Sequence, residues 1–473
     1  MTRIRRLLAS SNAVQALVYS ALVLFLRVVT GFFFRSIEVV GLEHVPKDGP
    51  VIFTGNHPNS LVDPVVITTT CRRRVRFAAR DGLFATPIRP ILWALGSVPI
   101  KRRQDQSSDT KQVDNQDAFS ALHAVLRRGE AFGIFPEGVT YTEPELQPLK
   151  TGAARIALSA FAEGIPVRVI PVGLHYRRRD RFRGRVLVQF GRPITLDATW
   201  LKHWESDARE TARKLTQEIE LGLRALTLNA PDFDTLRVLD AARRLYVPAT
   251  RDLSHAEEAE ITRRLVQHWE AKKDVPEVRA FYGDVESLVA LLDALGITDG
   301  DLSLPMSRWQ WTKRVMRHVV LMLVWVPLAL PGLLLHLPIL WLATRAGELV
   351  IERDDVKATL RMVVGTLGVM FVHLATGALA LVLDPTPGGA LRAFGLTCFL
   401  FLSGIAAIRV LERQAIVFRG LHMMTRILAL KDQLASIQAQ RDALRRRIPA
   451  LVEANIDPSI ERIVRPEELR APL

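Results

Sequence analysis

The residues with the clearest chemical potential are His57 and Asp63, in the run Gly55-Asn-His-Pro-Asn-Ser-Leu-Val-Asp63-Pro. Imidazole has an unperturbed pKa of about 6.5, so it accepts a proton near neutral pH. A carboxylate on the other ring nitrogen fixes the tautomer and stabilises the imidazolium. A His near an Asp is also ordinary structural equipment, so the pair needs company. Phe135-Pro-Glu-Gly138 supplies some: Glu137 follows a strand-like run, where functional groups of α/β sheets collect, and Gly138 lets backbone approach a ligand. Lys150, in Pro148-Leu-Lys-Thr-Gly152, precedes a helix start, where a cation and backbone amides suit a phosphate. Lys101, Arg102 and Arg103 close the run Gly96-Ser-Val-Pro-Ile-Lys-Arg-Arg and present three cations to an anionic group. Ser60 lacks the flanking pattern of a nucleophile elbow.

The elements that must position these residues read as alternating α/β over 36–196. Apolar runs at Val51–Thr54, Val75–Ala78, Ala131–Phe135, Val167–Val172 and Val186–Phe190 predict strands, and Lys150–Ala162 predicts a helix. The expected fold class is α/β: a mixed, largely parallel sheet covered by helices, with a helical subdomain and C-terminal membrane helices attached.

Within that frame, residues 1–35 predict a retained N-terminal helix. Its apolar stretch Val14–Phe34 carries Arg27, and no small-x-small cleavage site follows. It either lies in the membrane surface, with Arg3, Arg5 and Arg6 on the headgroups, or spans once. Residues 197–312 turn helical and charged. Residues 313–410 hold three apolar segments: 319–343, broken by Pro327, Pro331 and Pro338, then 362–383 and 393–408. Lys and Arg flank every connection except 384–391, which predicts that turn outside and the other flanks inside. That arrangement requires 319–343 to be re-entrant or kinked. Residues 411–473 form a cytoplasmic helical tail whose 428–451 stripe suits a short coiled coil and self-association.

Composition narrows the class. The 473 residues carry a formal charge of +14, a pI of about 10.2 and 49% hydrophobic residues, which points to anionic lipid, anionic substrate or nucleic acid. The Arg clusters lack interleaved aromatics and any nucleic-acid motif, which disfavours the last. Two Cys residues, Cys71 and Cys398, provide neither a disulfide framework nor a metal cluster. A non-catalytic membrane scaffold is the remaining rival.

The order of the motifs, over roughly residues 36–195, resembles the glycerolipid acyltransferase superfamily. Asn56-His57 through Asp63 is similar to its catalytic block, Gly96–Arg103 to its acceptor-binding block, Phe135–Gly138 to its phosphate-binding block and Val169–Val172 to its donor-associated block. The spacing here is His-x5-Asp where the common family spacing is His-x4-Asp. Asn59–Pro64, Leu146–Ala154, Ala230–Asp234 and Arg243–Pro248 resemble the fungal-type glycerol-3-phosphate/dihydroxyacetone-phosphate branch and its bacterial relatives. The resemblance implies acyl transfer from acyl-CoA or acyl carrier protein to a glycerol phosphate, with a lysophospholipid acceptor as the alternative. It implies catalytic His57 and Asp63, acceptor binding by Lys101, Arg102, Arg103, Glu137, Gly138 and Lys150, membrane lipids as partners, and neither a metal nor a cofactor.

Overall fold

The computed structural model describes residues 2–101, 116–247, 251–297, 308–349, 354–429 and 431–455. The chain divides into two compact units, Met1–Pro231 with Arg353–Thr359, and Asp232–Glu352 with Leu360–Leu473.

In the first unit α1 (Thr2–Phe33) leads into β1 (Phe34–Val40). There follow β2 (Val51–Gly55), α2 (Val62–Thr70), β3 (Val75–Arg80), α3 (Arg89–Ala94), β4 (Val98–Ile100), α4 (Gln116–Arg127) and β5 (Ala131–Ile134). Then come α5 (Gly152–Ala162), β6 (Arg168–Arg177), β7 (Gly184–Phe190), β8 (Ile194–Thr195), α6 (Ala198–Ser206) and α7 (Ala208–Arg224). The eight-stranded sheet has the order β1-β7-β6-β2-β5-β3-β4, with β8 on β6. From β6 to β4 all neighbours run parallel. β7 is antiparallel to β6 and parallel to β1. All five predicted strands are present. The parallel block puts the carboxyl ends of β2, β3, β4, β5 and β6 on one edge of the sheet, so loops leaving that edge converge.

Both faces of the sheet are covered. Ile52, Phe132 and Val169 pack with Leu122 and Leu126 of α4, Ile156 of α5, and Leu215, Ile219 and Leu223 of α7 in one core. The contribution of α7 moves a predicted boundary. The helical region was expected to separate at 196, yet its first two helices close the sheet domain and the break falls after Pro231. Charge and helical periodicity mark α7 as amphipathic without saying what its apolar stripe meets.

The second unit holds α8 (Phe233–Tyr246), α9 (His255–Lys272) and α10 (Pro276–Leu295), with α9 opened by a Ser254/Glu257 capping box. It also holds α11 (Arg308–Leu349), most of α12 (Asp354–Leu383), α13 (Pro387–Ala429) and α14 (Lys431–Asn455). Ile437, Leu444 and Ile448 of α14 share a core with Val238, Ile261 and Val285 of α8, α9 and α10. The stripe expected to mediate self-association is therefore occupied within the chain, and the coiled-coil reading loses its basis.

Among the described residues, four helices are long and apolar enough to cross a membrane: Val14–Phe33, Leu323–Leu349, Val356–Leu383 and Pro387–Gln414. The first of the C-terminal three is continuous through Pro327, Pro331 and Pro338. Prolines open a helix by removing N–H donors and displacing the carbonyl four residues back. Here α13 repairs the opening: Ser403 Oγ donates to Leu328 O at 2.5 Å and accepts from Gly332 N–H at 2.7 Å. A side chain at Gly332 would collide with the backbone of Ser403 and Gly404. A neighbouring hydroxyl thus bridges Leu328 O and Gly332 N–H, the i→i−4 pair next to Pro331, and helps satisfy backbone polar groups in apolar surroundings.

Replacing Ser403 with Ala should cost about 1 kcal/mol. In purified protein this should lower the thermal midpoint by about 2–4 °C. An unchanged midpoint would show that the bridge contributes nothing.

Candidate active site

The site is assembled at the carboxyl edge of the parallel strands. His57 lies two residues past β2 and Glu137 three past β5, while Tyr176 is the penultimate residue of β6. β2 lies between β5 and β6 in the sheet, so these three loops are neighbours. Asn56 fixes the turn from β2: its side-chain amide donates to Leu174 O at 3.0 Å and accepts from Leu174 N–H at 2.7 Å. The pairing continues the β2–β6 ladder one step beyond the strand and leaves His57 projecting from a tied corner.

His57 Nδ1 is 2.8 Å from Asp63 Oδ2. Asp63 sits in the first turn of α2 and is fully buried. Its Oδ2 also accepts the Asn59 backbone N–H at 2.7 Å, and its Oδ1 accepts the Tyr176 hydroxyl at 2.6 Å. Every partner uses Asp63 as an acceptor. His57 Nδ1 must then carry hydrogen, which leaves Nε2 with a free lone pair. The extra residue in the His-x5-Asp spacing does not separate the pair, because the first turn of α2 brings the carboxylate back under the ring. Phe135 stacks on the imidazole, with ring centroids 3.9 Å apart and planes 5° from parallel. Phe77 stacks behind Phe135 at 5.7 Å. His57 itself is 8% exposed, which limits the ways a reactant reaches Nε2.

Glu137 is almost wholly buried, at 2% exposure. Burial raises its pKa to about 9, the Asp63 charge adds to the effect, and the His57 backbone N–H opposes it. Glu137 is therefore a neutral carboxylic acid at pH 7. Its Oε1 accepts the Tyr141 hydroxyl at 3.0 Å, and Oε2 has no hydrogen-bond partner. Burial, reinforced by neighbouring carboxylates, also pushes the Tyr141 phenol up, and burial with the Asp63 charge does the same for Tyr176. Both phenols remain donors at any working pH.

Gly138 adopts φ +71°, the left-handed region that favours glycine. Lys150 lies directly over it: a Cβ there would be 2.5 Å from Lys150 Nζ. The Lys150 backbone N–H binds Pro136 O at 2.8 Å, so the loop after β5 closes on itself before α5 starts. Lys150 is exposed, as is Lys101 immediately after β4. β4 is three strands from β2, about 14 Å at ordinary strand spacing. The sheet thus brings His57, Asp63, Glu137, Gly138 and Lys150 together and sets Lys101 at the flank. Arg102 and Arg103 lie outside the described residues.

Two residues escaped the sequence reading. Tyr176 follows Val169–Val172 on the same strand, but nothing in the sequence says that its hydroxyl reaches Asp63 from 113 residues away. Tyr141 stands four residues past Glu137, in the loop after the Phe135–Gly138 motif. Val169, Ile170 and Val172 are fully buried strand core. Their side chains offer no donor-binding surface; the strand delivers the Leu174 backbone and Tyr176 instead.

A buried His–Asp pair at the carboxyl edge of an α/β sheet, beside a neutral carboxyl group and an exposed lysine, defines a base-assisted transferase or hydrolase class of site. Comparison with known proteins makes it specific. Residues 36–175 match the Acyltransferase family model, and residues 238–461 match the Glycerol-3-phosphate acyltransferase 2 C-terminal domain. The chain carries an acyltransferase-family domain joined to a C-terminal domain of the glycerol-3-phosphate acyltransferase type. It is 35% identical over 235 residues to glycerol-3-phosphate O-acyltransferase 2 of Saccharomyces cerevisiae, covering 48% of this chain and 32% of that protein. It is 23% identical over 457 residues to glycerol-3-phosphate O-acyltransferase 1 of the same yeast, covering 75% of this chain and 60% of that one. A 1-acyl-sn-glycerol-3-phosphate acyltransferase of Borreliella burgdorferi is 26% identical over 173 residues, 36% of this chain and 66% of that protein. The chain therefore spans between about a third and two thirds of the length of these relatives.

Glu137 gives this site a pH signature. The folded protein holds a proton on Glu137 up to about pH 9, whereas an unfolded carboxyl releases it near 4.5. Between those values the native state binds more protons, so stability falls as pH rises. Glu137→Gln should be more stable than the wild type at pH 8, with a smaller difference at pH 5. Denaturant titrations at the two pH values check this, and an equal difference at both would remove the neutral-carboxyl assignment.

Proposed function

We propose that the chain transfers a fatty acyl group from an acyl thioester to the hydroxyl of glycerol-3-phosphate or dihydroxyacetone phosphate, at a membrane surface, in phospholipid synthesis. The observation that carries this reading is the His57–Asp63 pair with its Nε2 lone pair free, inside an acyltransferase-family domain. An acyl thioester is already activated, so the acceptor hydroxyl can attack it directly. His57 Nε2 takes the hydroxyl proton as the C–O bond forms. The tetrahedral intermediate collapses with loss of the thiolate, and His57 returns the proton to that sulfur. One ester and one thiol result, with no covalent enzyme intermediate and no need of a metal or cofactor.

The neutral Glu137 fits an anionic acceptor. An ionised carboxylate beside a phosphate would repel it; a protonated one donates a hydrogen bond. In this reading the exposed Lys150 meets the acceptor phosphate, Gly138 keeps the loop close, and the buried, uncharged Glu137 beneath adds no repulsion. Lys101, Arg102 and Arg103 extend the cationic approach. The donor is acyl-CoA or acyl carrier protein. A lysophosphatidate acceptor is the second reading, favoured by the likeness to the Borreliella enzyme.

Two variants and an acceptor panel test the assignment with palmitoyl-CoA as donor. His57→Ala should lower kcat by about 10²–10⁴-fold. Tyr176→Phe removes one hydrogen bond to the Asp63 carboxylate, about 1.5–3 kcal/mol, and should lower kcat roughly 10- to 100-fold. Glycerol-3-phosphate should be the preferred acceptor. Unchanged turnover in His57→Ala would refute the base, and preference for lysophosphatidate would install the second reading.

The membrane arrangement is proposed from charge. The connection at 384–391 lies outside, and the Lys- and Arg-bearing flanks of the two helices it joins lie on the cytoplasmic face. Reporter fusions should read cytoplasmic after residue 350 and external after residue 387. The reverse, or both on one side, would overturn this.

A further inference from the structure

Arginines crowd the end of β6 and the turn into β7, at Arg177, Arg178, Arg179, Arg181 and Arg183. Arg183 is spent at the α1–β1 junction, where its guanidinium donates to Phe32 O and Phe34 O at 3.4 and 3.3 Å. Arg178 is exposed. Arg179 is half-buried and reaches the loop after β5, where one N–H donates to Thr142 O at 3.3 Å. Its own carbonyl accepts the Asn59 side-chain amide at 3.2 Å, and Asn59 is fully buried in the turn after His57. The loops after β2 and β5 are also joined directly, by the Tyr141 N–H on His57 O at 3.3 Å. These contacts close a ring that runs from His57 through Tyr141, Thr142, Arg179 and Asn59 back to His57. Arg179 brings a permanent positive charge into it.

The guanidinium has donors to spare. Arg27 gives two bonds to Thr69 O, and Arg73 gives three to backbone carbonyls, whereas Arg179 gives one. Among the described residues no carboxylate pairs with it. A guanidinium carries five N–H donors in a planar fork, so its charge and most of its donors are left for a ligand or water. The backbone on both sides of the Asn59–Arg179 contact is strained: Ser60 has φ +38° and Arg178 φ +57°. Residues other than glycine rarely adopt this left-handed region, and they keep it where the surroundings fix them, often at ligand clamps. Strain here fixes where Arg179 stands relative to His57. Arg179 meets the 136–150 loop at Thr142, and Lys150 ends that loop over Gly138. Both cations therefore belong to one closed loop, around an uncharged Glu137.

We propose that Arg179 is a phosphate anchor of this site, its fork taking two oxygens of a substrate phosphate while the Thr142 bond holds it in place. It supplies the planar, bidentate contact that Lys150, a point charge, does not. The inference rests on the acyl-transfer reading, which brings two sources of phosphate to the site: the acceptor's phosphomonoester and the phosphates of coenzyme A.

Calorimetric titration of the full chain in detergent tests the anchor without turnover, using sn-glycerol 3-phosphate and, separately, coenzyme A. Arg179→Gln removes the charge and the fork, and Arg179→Lys keeps the charge alone. Arg178→Gln controls for bulk charge at the exposed neighbour. One of the two ligands should bind Arg179→Gln about 10- to 100-fold more weakly than the wild type. Arg179→Lys should fall between them, and Arg178→Gln should match the wild type. A loss for glycerol phosphate assigns the acceptor's phosphate to Arg179, and a loss for coenzyme A assigns the donor's. The anchor is overturned by a wild type that binds neither ligand, by equal affinities in Arg179→Gln and wild type, or by an equal loss in Arg178→Gln. A fall for both ligands with Arg179→Lys no better than Arg179→Gln marks lost loop structure and overturns it as well. A wild type that binds glycerol phosphate yet transfers no acyl group would sink the transferase reading and leave the anchor standing.

Discussion

The Asp63 carboxylate is the point on which the geometry of the candidate site depends. Three donors converge on it from three segments: His57 from the β2 loop, the Asn59 backbone from the turn that follows, and Tyr176 from β6. Each bond constrains another. The Asn59 N–H sets where the turn closes, Tyr176 ties the carboxylate to the neighbouring strand, and together they hold the acceptor that fixes the His57 tautomer. The same buried charge helps keep Glu137 neutral. One carboxylate thus fixes the His57 tautomer and reinforces the burial that keeps Glu137 neutral.

The sheet makes this convergence possible. Because β2, β3, β4, β5 and β6 are parallel, loops far apart in sequence leave from one edge. The order β6-β2-β5 puts the histidine strand in the middle, so the tyrosine and glutamate arrive from opposite sides. Stacking of Phe135 on His57 adds a wall that limits ring rotation. The second unit solves a different problem, holding proline-rich apolar helices together through Ser403 and a close backbone approach at Gly332.

Much of this was legible from residue types. Five of the eight strands, the histidine, its aspartate and the Phe135–Gly138 loop follow from apolar runs and punctuation. What was not legible depends on long-range closure. α7 looks like any solvated amphipathic helix until it packs under the sheet, and α14 looks like a dimerisation stripe until α8, α9 and α10 cover it. β1 hides at the end of an apolar helix, since Phe34 continues the same hydrophobic run. Tyr176 could not be assigned because hydrogen bonding to Asp63 requires knowing that β2 and β6 are adjacent. The neutral state of Glu137 likewise follows from burial, which no local motif encodes.

The central claim is that Asp63 orients His57 as a base, beyond merely packing beneath it. Single-turnover acyl transfer by Asp63→Asn tests this most directly, because the amide keeps the shape and changes the hydrogen bonding. An amide whose NH2 faces Nδ1 would favour the opposite tautomer and occupy Nε2 with hydrogen. The account predicts a fall in the chemical rate on the order of 10²–10⁴-fold, with acceptor and donor binding little changed. A rate within a few-fold of the wild type would contradict it.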